Sequence, residues 1–322
     1  MPGAALIAMQ MTLARAITLS GVALHAGVAV SCRVAPAAAG AGISFVRADV
    51  DGAAPVPAQH AYVRSTTLAT TLALRAGSPP VSTVEHVLAA LLGSRVDNAL
   101  VQVRGAELPI ADGSALPFCE AFREAGLEQL HGSRRKFVRV NVAVRVELPD
   151  GSWAELAPPE LEAEAEAEAE SEPRRGGRER RCSRRLSLSV QLDYPHVAAI
   201  SGRAFAAADC HDSSYFWREL APARTFALEA DVARMRAAGM ALGGGLENAV
   251  VFGEENGGSV LNDGGLRFDD EPARHKALDA AGDLLLLAPP GGCLVGRFRS
   301  FRPGHTLLHA LREKALGTLE PA

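Results

Sequence analysis

The chain has 322 residues, a formal net charge of −4, 48% hydrophobic residues and 22% charged residues, a balance that excludes wholesale disorder and argues against a general nucleic-acid binder. No apolar run is long enough to span a bilayer, so stable membrane insertion is not expected. Five cysteines without a CxxC pair exclude a disulfide scaffold or a cysteine-based zinc module and fit a reducing compartment.

At about 100–200 residues per domain, the length predicts two domains. The first eleven residues are apolar but lack a basic segment, so they do not read as a secretory signal. Arg15, Arg33 and Arg47 precede the first acid, Asp49, which gives a faint transit-peptide character. Residues 12–75 alternate with period two in short stretches, such as 28–34 and 43–46, between Gly and Pro clusters, which predicts short strands. A helix is expected over 83–93, capped by Ser82 or Thr83 and stopped by Gly93, with Val84, Val87, Leu88, Leu91 and Leu92 at helical spacing. A strand over 98–104, a turn-rich stretch and a helix over about 117–125 complete an α+β unit, 1–130.

Residues 131–135 read as a linker into a second unit, 131–322, which opens with strands over 136–148 and 152–156. A low-complexity insert, 160–185, then carries seven Glu in 160–172 and seven Arg in 174–185. Such charge runs stay solvated rather than build a core, so an inert surface excursion is expected, with a partner-binding arm as the alternative. Further strands are expected over 186–192, 248–252 and 283–288, and helices over about 231–238, 272–281 and 305–316. The run Gly243-Gly244-Gly245 predicts a tight turn; without a GxxxxGK[ST] motif it does not make a P-loop.

Three groups of residues could carry chemistry. His275 and Asp279, at i and i+4 on a helix, share one face and could supply two corners of a zinc site, or simply pair with each other. His86 follows Glu85 directly, the pairing of a metal ligand with a general base. Yet Ser82-x-x-Glu85 is also a capping box, in which the Glu only closes the helix start. His305 opens the last helix, where the dipole lowers an imidazole pKa unless a carboxylate compensates. A histidine poised between charge states suits a general acid. His305 and His309 form an HxxxH pair, but without the Glu of a zincin helix.

The stretches SGVALHAG (20–27), STVEHVLAALLG (82–93), VDNALVQVRGAELPIADGSALPF (96–118), ARTFAL (223–228), LGGGLENAVVF (242–252), LNDGGLRFDDEPARHKALDAAGDLLLL (261–287) and PGHTLLHAL (303–311) occur in an order that resembles the UDP-3-O-acyl-N-acetylglucosamine deacetylases, zinc enzymes of lipid A biosynthesis. The resemblance covers about residues 12–318. It implies an α+β fold of two similar domains, each a mixed sheet with helices packed on one face, and an active site between them. It implies hydrolysis of the N-acetyl group of a UDP-acyl-sugar, with Zn2+ held by His86, His275 and Asp279 and a water in the open position.

The resemblance further implies Glu85 as general base, His305 as the acid serving the intermediate and the leaving amine, and Asp283 as its orienter. Thr225 would donate to the oxyanion. Phe226 would flank the sugar or uracil, and Lys276 and Arg302 would face the phosphates. An acyl passage is expected over about 225–252, with Val232, Ala241, Leu246, Ala249 and Val251 in its lining, although core packing explains the same residues. A monomer in the cytoplasm is expected, or in an organelle if the source is a photosynthetic eukaryote. The match starts close to Met11, which leaves little room for a cleavable leader. The 160–185 insert and His309, where the family commonly has a polar residue such as Asn, depart from the pattern. The alternatives are a zinc amidohydrolase of the same fold acting on another acylated substrate, and a non-catalytic binding protein that keeps the fold.

Overall fold

The computed structural model describes residues 9–159, 185–194, 197–209, 213–253 and 258–322. The expected excursion at 160–185 lies outside the described residues except for Arg185.

The N-terminal half contains β1 (Met9–Leu13), β2 (Ile17–Val22), β3 (Ala29–Pro36), β4 (Ile43–Arg47), β5 (Val56–Pro57), β6 (Val63–Ser65), β7 (Thr71–Leu72), α1 (Glu85–Gly93), β8 (Ala99–Arg104), α2 (Leu116–Ala125) and β9 (Leu127–Arg134). A five-stranded sheet runs β2-β3-β8-β4-β5; β4 and β8 are parallel and the remaining pairs antiparallel. The period-two pattern sets its buried face: Val30 of β3 is buried, and Cys32 and Val34 of β3 and Ala99, Val101 and Val103 of β8 join one hydrophobic core with Phe118 and Phe122 of α2. All nine residues of α1 are buried, so this helix is central rather than amphipathic.

The expected linker is instead part of a strand. β9 pairs antiparallel with β1, from Leu13↔Leu127 to Met9↔Arg134. Arg135 then forms a buried ion pair with Asp97, Nε to Oδ1 2.6 Å. Gly132, in a left-handed conformation, and the polar run around it hid this strand, because both of its faces are largely exposed and no hydrophobic alternation marks it.

The C-terminal half contains β10 (Lys136–Val140), β11 (Val144–Glu147), β12 (Trp153–Ala157), β13 (Arg185–Leu192), β14 (Gly202–Asp209), α3 (Ser214–Glu219), β15 (Phe226–Leu228), α4 (Glu229–Ala237), β16 (Val250–Phe252), α5 (Glu271–Leu285), β17 (Gly292–Phe301), α6 (His305–Ala315) and β18 (Leu319–Pro321). The expected strand over 136–148 is two strands, β10 and β11. A seven-stranded mixed sheet is organised around β17, which pairs parallel with β10 and β13 and antiparallel with β12. Helix α5 lies against β13 and β14, and α6 against β11 and β12. Strands β15 and β16 are parallel and joined through α4, forming a small βαβ unit across the expected acyl-passage segment.

The strand expected over 283–288 does not form. Helix α5 continues to Leu285, and the true strand is β17. The Leu284–Leu287 run has no alternation, and leucine is a good helix former, so a buried helix end looks like a buried strand in sequence. Asp283 is consequently one helical turn beyond Asp279.

Helices α1 and α5 pack against each other, and Gly282 sets how closely. A Cβ there would fall inside van der Waals contact of the Glu85 carbonyl oxygen. The missing side chain therefore brings the start of α1 onto the face of α5 that carries His275, Asp279 and Asp283.

Candidate active site

Three buried ionisable side chains meet where these helices cross. His86 Nε2 lies 3.5 Å and His275 Nε2 3.3 Å from Asp279 Oδ1, and the imidazole rings stand perpendicular with centroids 5.0 Å apart. His275 Nδ1 is 3.0 Å from the Ala223 carbonyl, which can only accept, so Nδ1 carries the hydrogen and the Nε2 lone pair faces Asp279. Asp279 Oδ1 is buried and has no hydrogen-bond partner. A lone pair aimed at an undonated carboxylate oxygen is costly unless a cation sits among them. Burial lowers His275 to about 4, which leaves it neutral near pH 7, as a metal ligand must be. Burial pushes the Asp279 carboxyl up, but the facing His275 and Lys276 outweigh this and hold it well below the usual range. The donor set, two imidazole nitrogens and one carboxylate oxygen, fits a divalent transition metal with a position left open. Lys276 Nζ donates to Asp279 Oδ2 at 2.8 Å, which fixes the carboxylate from its other side.

Glu85 stands next to this cluster and does not cap its helix. Ser82 Oγ pairs with Thr71 Oγ1 at 2.9 Å, while Glu85 Oε2 accepts from the Thr70 N–H at 3.1 Å. The capping-box reading is therefore corrected: the helix starts two residues later than expected, and Glu85 turns into the site. Burial raises its pKa beyond what the opposing His305 and His86 take away. Across the site, His305 Nε2 is 3.7 Å from Glu85 Oε1, and its Nδ1 is 2.9 Å from Asp283 Oδ2. Burial would lower His305, but the Glu85 and Asp283 carboxylates raise it to about 9. The carboxylates thus outweigh both burial and the helix dipole.

The cavity over these groups is lined by Thr225, His25, Leu68 and Lys276, among others. It adjoins a cleft of about 760 Å³ that takes in Phe226, Val232, Ala241, Leu246, Ala249 and Val251. Thr225 is held by its backbone, which donates to Gly113 O at 2.8 Å and accepts from Val250 N–H at 2.8 Å. Arg224 forms a buried ion pair with Glu271, Nε to Oε1 2.8 Å, and so ties this segment to the start of α5. Arg302 lies outside the lining of both cavities; its guanidinium donates to the Asp150 carbonyl and stacks over Phe301. The HxxxH pair divides: His305 joins the site, whereas His309 stacks on His60 with ring centroids 4.8 Å apart. His60, His309 and Glu313 do gather, but Arg312 donates toward His60 Nδ1 at 3.4 Å and sets a fixed cation against them.

Sequence reasoning missed three participants. His25 lines both cavities, and neither of its ring nitrogens has a partner. Its signal was present: it sits in the SGVALHAG stretch, whose carbonyls at Leu24 and His25 accept from Gly243 N and Leu242 N at 3.0 and 3.1 Å. Thr70 and Arg312, which both contact Asp283, left no local signal.

Paired imidazoles and a carboxylate, a basic Glu and a charged His around one cavity are the equipment of a metal-dependent hydrolase. The family model described as LpxC, UDP-3-O-acyl N-acetylglycosamine deacetylase, matches residues 10–316. A protein named UDP-3-O-acyl-N-acetylglucosamine deacetylase from Anaeromyxobacter sp. (strain Fw109-5) is 41% identical over 314 residues, covering 95% of this chain and 88% of the relative. One of the same name from Brucella melitensis biotype 2 is 38% identical over 300 residues, covering 93% and 92%. The chain belongs to the UDP-3-O-acyl-N-acetylglucosamine deacetylase family.

Proposed function

We propose that this chain removes the N-acetyl group of UDP-3-O-(3-hydroxyacyl)-N-acetylglucosamine, giving acetate and the free amine in lipid A biosynthesis, with zinc held by His86, His275 and Asp279. The observation that carries the reading is the buried Asp279 Oδ1, undonated and faced by two imidazole nitrogens beside Glu85 and His305. Held by these three residues, zinc would supply Lewis acidity for the acetyl carbonyl and for a water. Glu85, made more basic by burial, takes the proton of the attacking water. The Thr225 hydroxyl and the His305 imidazolium face the oxyanion that develops. His305 then gives its Nε2 proton to the departing nitrogen, while Asp283 keeps Nδ1 in place.

Lys276 reads as a phosphate contact whose charge is shared with Asp279. Phe226 flanks the sugar, and the cleft with Val232, Leu246, Ala249 and Val251 accepts the acyl chain. The two sheets with their helices read as two domains that meet at this site, with the boundary after β9 rather than at residue 130. No helix among the described residues is long and apolar enough to cross a membrane, and the relatives compared are bacterial, which supports a cytoplasmic site of action.

Acetate release from UDP-3-O-(3-hydroxymyristoyl)-N-acetylglucosamine tests the reading, with zinc-loaded wild type beside His275→Ala and Glu85→Ala. Release by wild type alone, with zinc lost only from His275→Ala, is expected. A zinc-containing wild type that releases no acetate would redirect the reading to another acylated substrate.

A further inference from the structure

Thr70 sits in the loop between β6 and β7, is fully buried, and uses every polar group it has. Its N–H donates to Glu85 Oε2 at 3.1 Å, and its carbonyl accepts from Val84 N–H at 3.4 Å, at the start of α1. Its hydroxyl donates to Asp283 Oδ1 at 2.6 Å and lies 3.5 Å from His305 Nδ1. One side chain and its backbone therefore touch the base, the acid and the acid's orienter.

The chemistry of Asp283 shows what the hydroxyl does. An ionised carboxylate only accepts, so its orientation is set by where its donors lie. Oδ1 takes the Thr70 hydroxyl and the Arg312 Nη1, the latter at 3.1 Å, and Arg312 also donates to the Asp283 backbone carbonyl at 3.1 Å. With Oδ1 occupied, Oδ2 is left for His305 Nδ1 at 2.9 Å. That contact places the hydrogen on Nδ1 and directs Nε2 toward Glu85 and the cavity.

We propose that Thr70 is a positioning residue for the reaction: its hydroxyl fixes the Asp283 carboxylate so that His305 presents Nε2 to the cavity, while its N–H holds Glu85 opposite. The inference rests on the roles given above to Glu85, His305 and Asp283. The substrate is not touched, so the effect falls on turnover rather than on binding.

The test compares Thr70→Val, which keeps the shape and the N–H but removes the hydroxyl, with Thr70→Ser, which restores it. Outer-shell hydrogen bonds of this kind are typically worth about 10–100-fold. Thr70→Val is expected to lose kcat by about that factor, with KM within about threefold and zinc content unchanged, and Thr70→Ser to return within about threefold of wild type. In proton NMR, the low-field resonance of the His305 Nδ1 hydrogen should be lost or shifted in Thr70→Val alone. In an Asp283→Asn background, Thr70→Val should cost little more, because its target is already gone. If Thr70→Val does not fold, Thr70→Ala carries the same expectations. Turnover by Thr70→Val within twofold of wild type, or a loss in Thr70→Ser as deep as in Thr70→Val, would overturn the inference. An active wild type with an inactive Glu85→Ala keeps those outcomes distinct from failure of the underlying reading.

Discussion

His305 Nδ1 lies 2.9 Å from Asp283 Oδ2, and both groups are buried. Together with Glu85, this contact raises the imidazole to about 9 against the pull of burial. On the proposed reading, the proton that His305 gives to the leaving amine is present at neutral pH and is lost as pH rises through about 9. A bound divalent cation acts in the opposite sense, so the basic limb of the kcat profile is expected at or below 9 in the loaded enzyme. In Asp283→Asn that limb should move down by about one unit or more, since one charged partner is gone. An unmoved limb between pH 6 and 10.5 would remove His305 as the titrating acid.

Gly282 gives the second prediction. Alanine normally stabilises a helix interior over glycine by about 1 kcal/mol. Here the added Cβ meets the Glu85 carbonyl, and overpacking of this kind costs about 1–3 kcal/mol. Gly282→Ala should lower stability to urea and also weaken zinc binding, because α1 and α5 must move apart. A variant as stable and as well metallated as wild type would contradict that close approach.

Metal removal should be visible in the melting curve. Ligand held only by the folded state stabilises by about 4 kcal/mol at 1,000 times its dissociation constant. Chelator-treated protein should melt lower and recover on adding zinc. In His275→Ala the recovery should be small, because the Nε2 that faces Asp279 is gone.

Acid sensitivity should come in part from His60. Burial, with Arg312 and His309 adding to it, lowers its pKa to about 4. The unfolded chain therefore takes up this proton first, and stability falls as pH drops from 6.5 toward 4. The effect is on the order of 1 kcal/mol. His60→Phe, which keeps a ring against His309, should flatten stability over that pH window, as read by urea midpoints.

The residues of the proposed metal site were partly legible because their signals are local, although only the family resemblance joined the three. His275 and Asp279 share a helix face, and His86 follows Glu85 in one apolar helix. The same locality misled at Glu85, where Ser82-x-x-Glu85 satisfies the capping pattern but Ser82 Oγ is taken by Thr71. Strand β17 was missed because glycines and arginines interrupt its alternation, while the neighbouring leucine run of α5 drew the strand assignment. Thr70 was beyond reach for a different reason. Its hydroxyl partner, Asp283, is 213 positions away, and no spacing rule links two such residues.

The crossing of α1 and α5 also constrains the order of assembly. His86 leaves the ribosome early, whereas His275 and Asp279 come near the end of the chain, so the site belongs to the slow, non-local class of contacts. A nascent chain halted before α5 carries only one of the three proposed donors, His86. On the proposed reading such a chain should not retain zinc, and metal capture would be a late event that reports the closing of α5 onto α1.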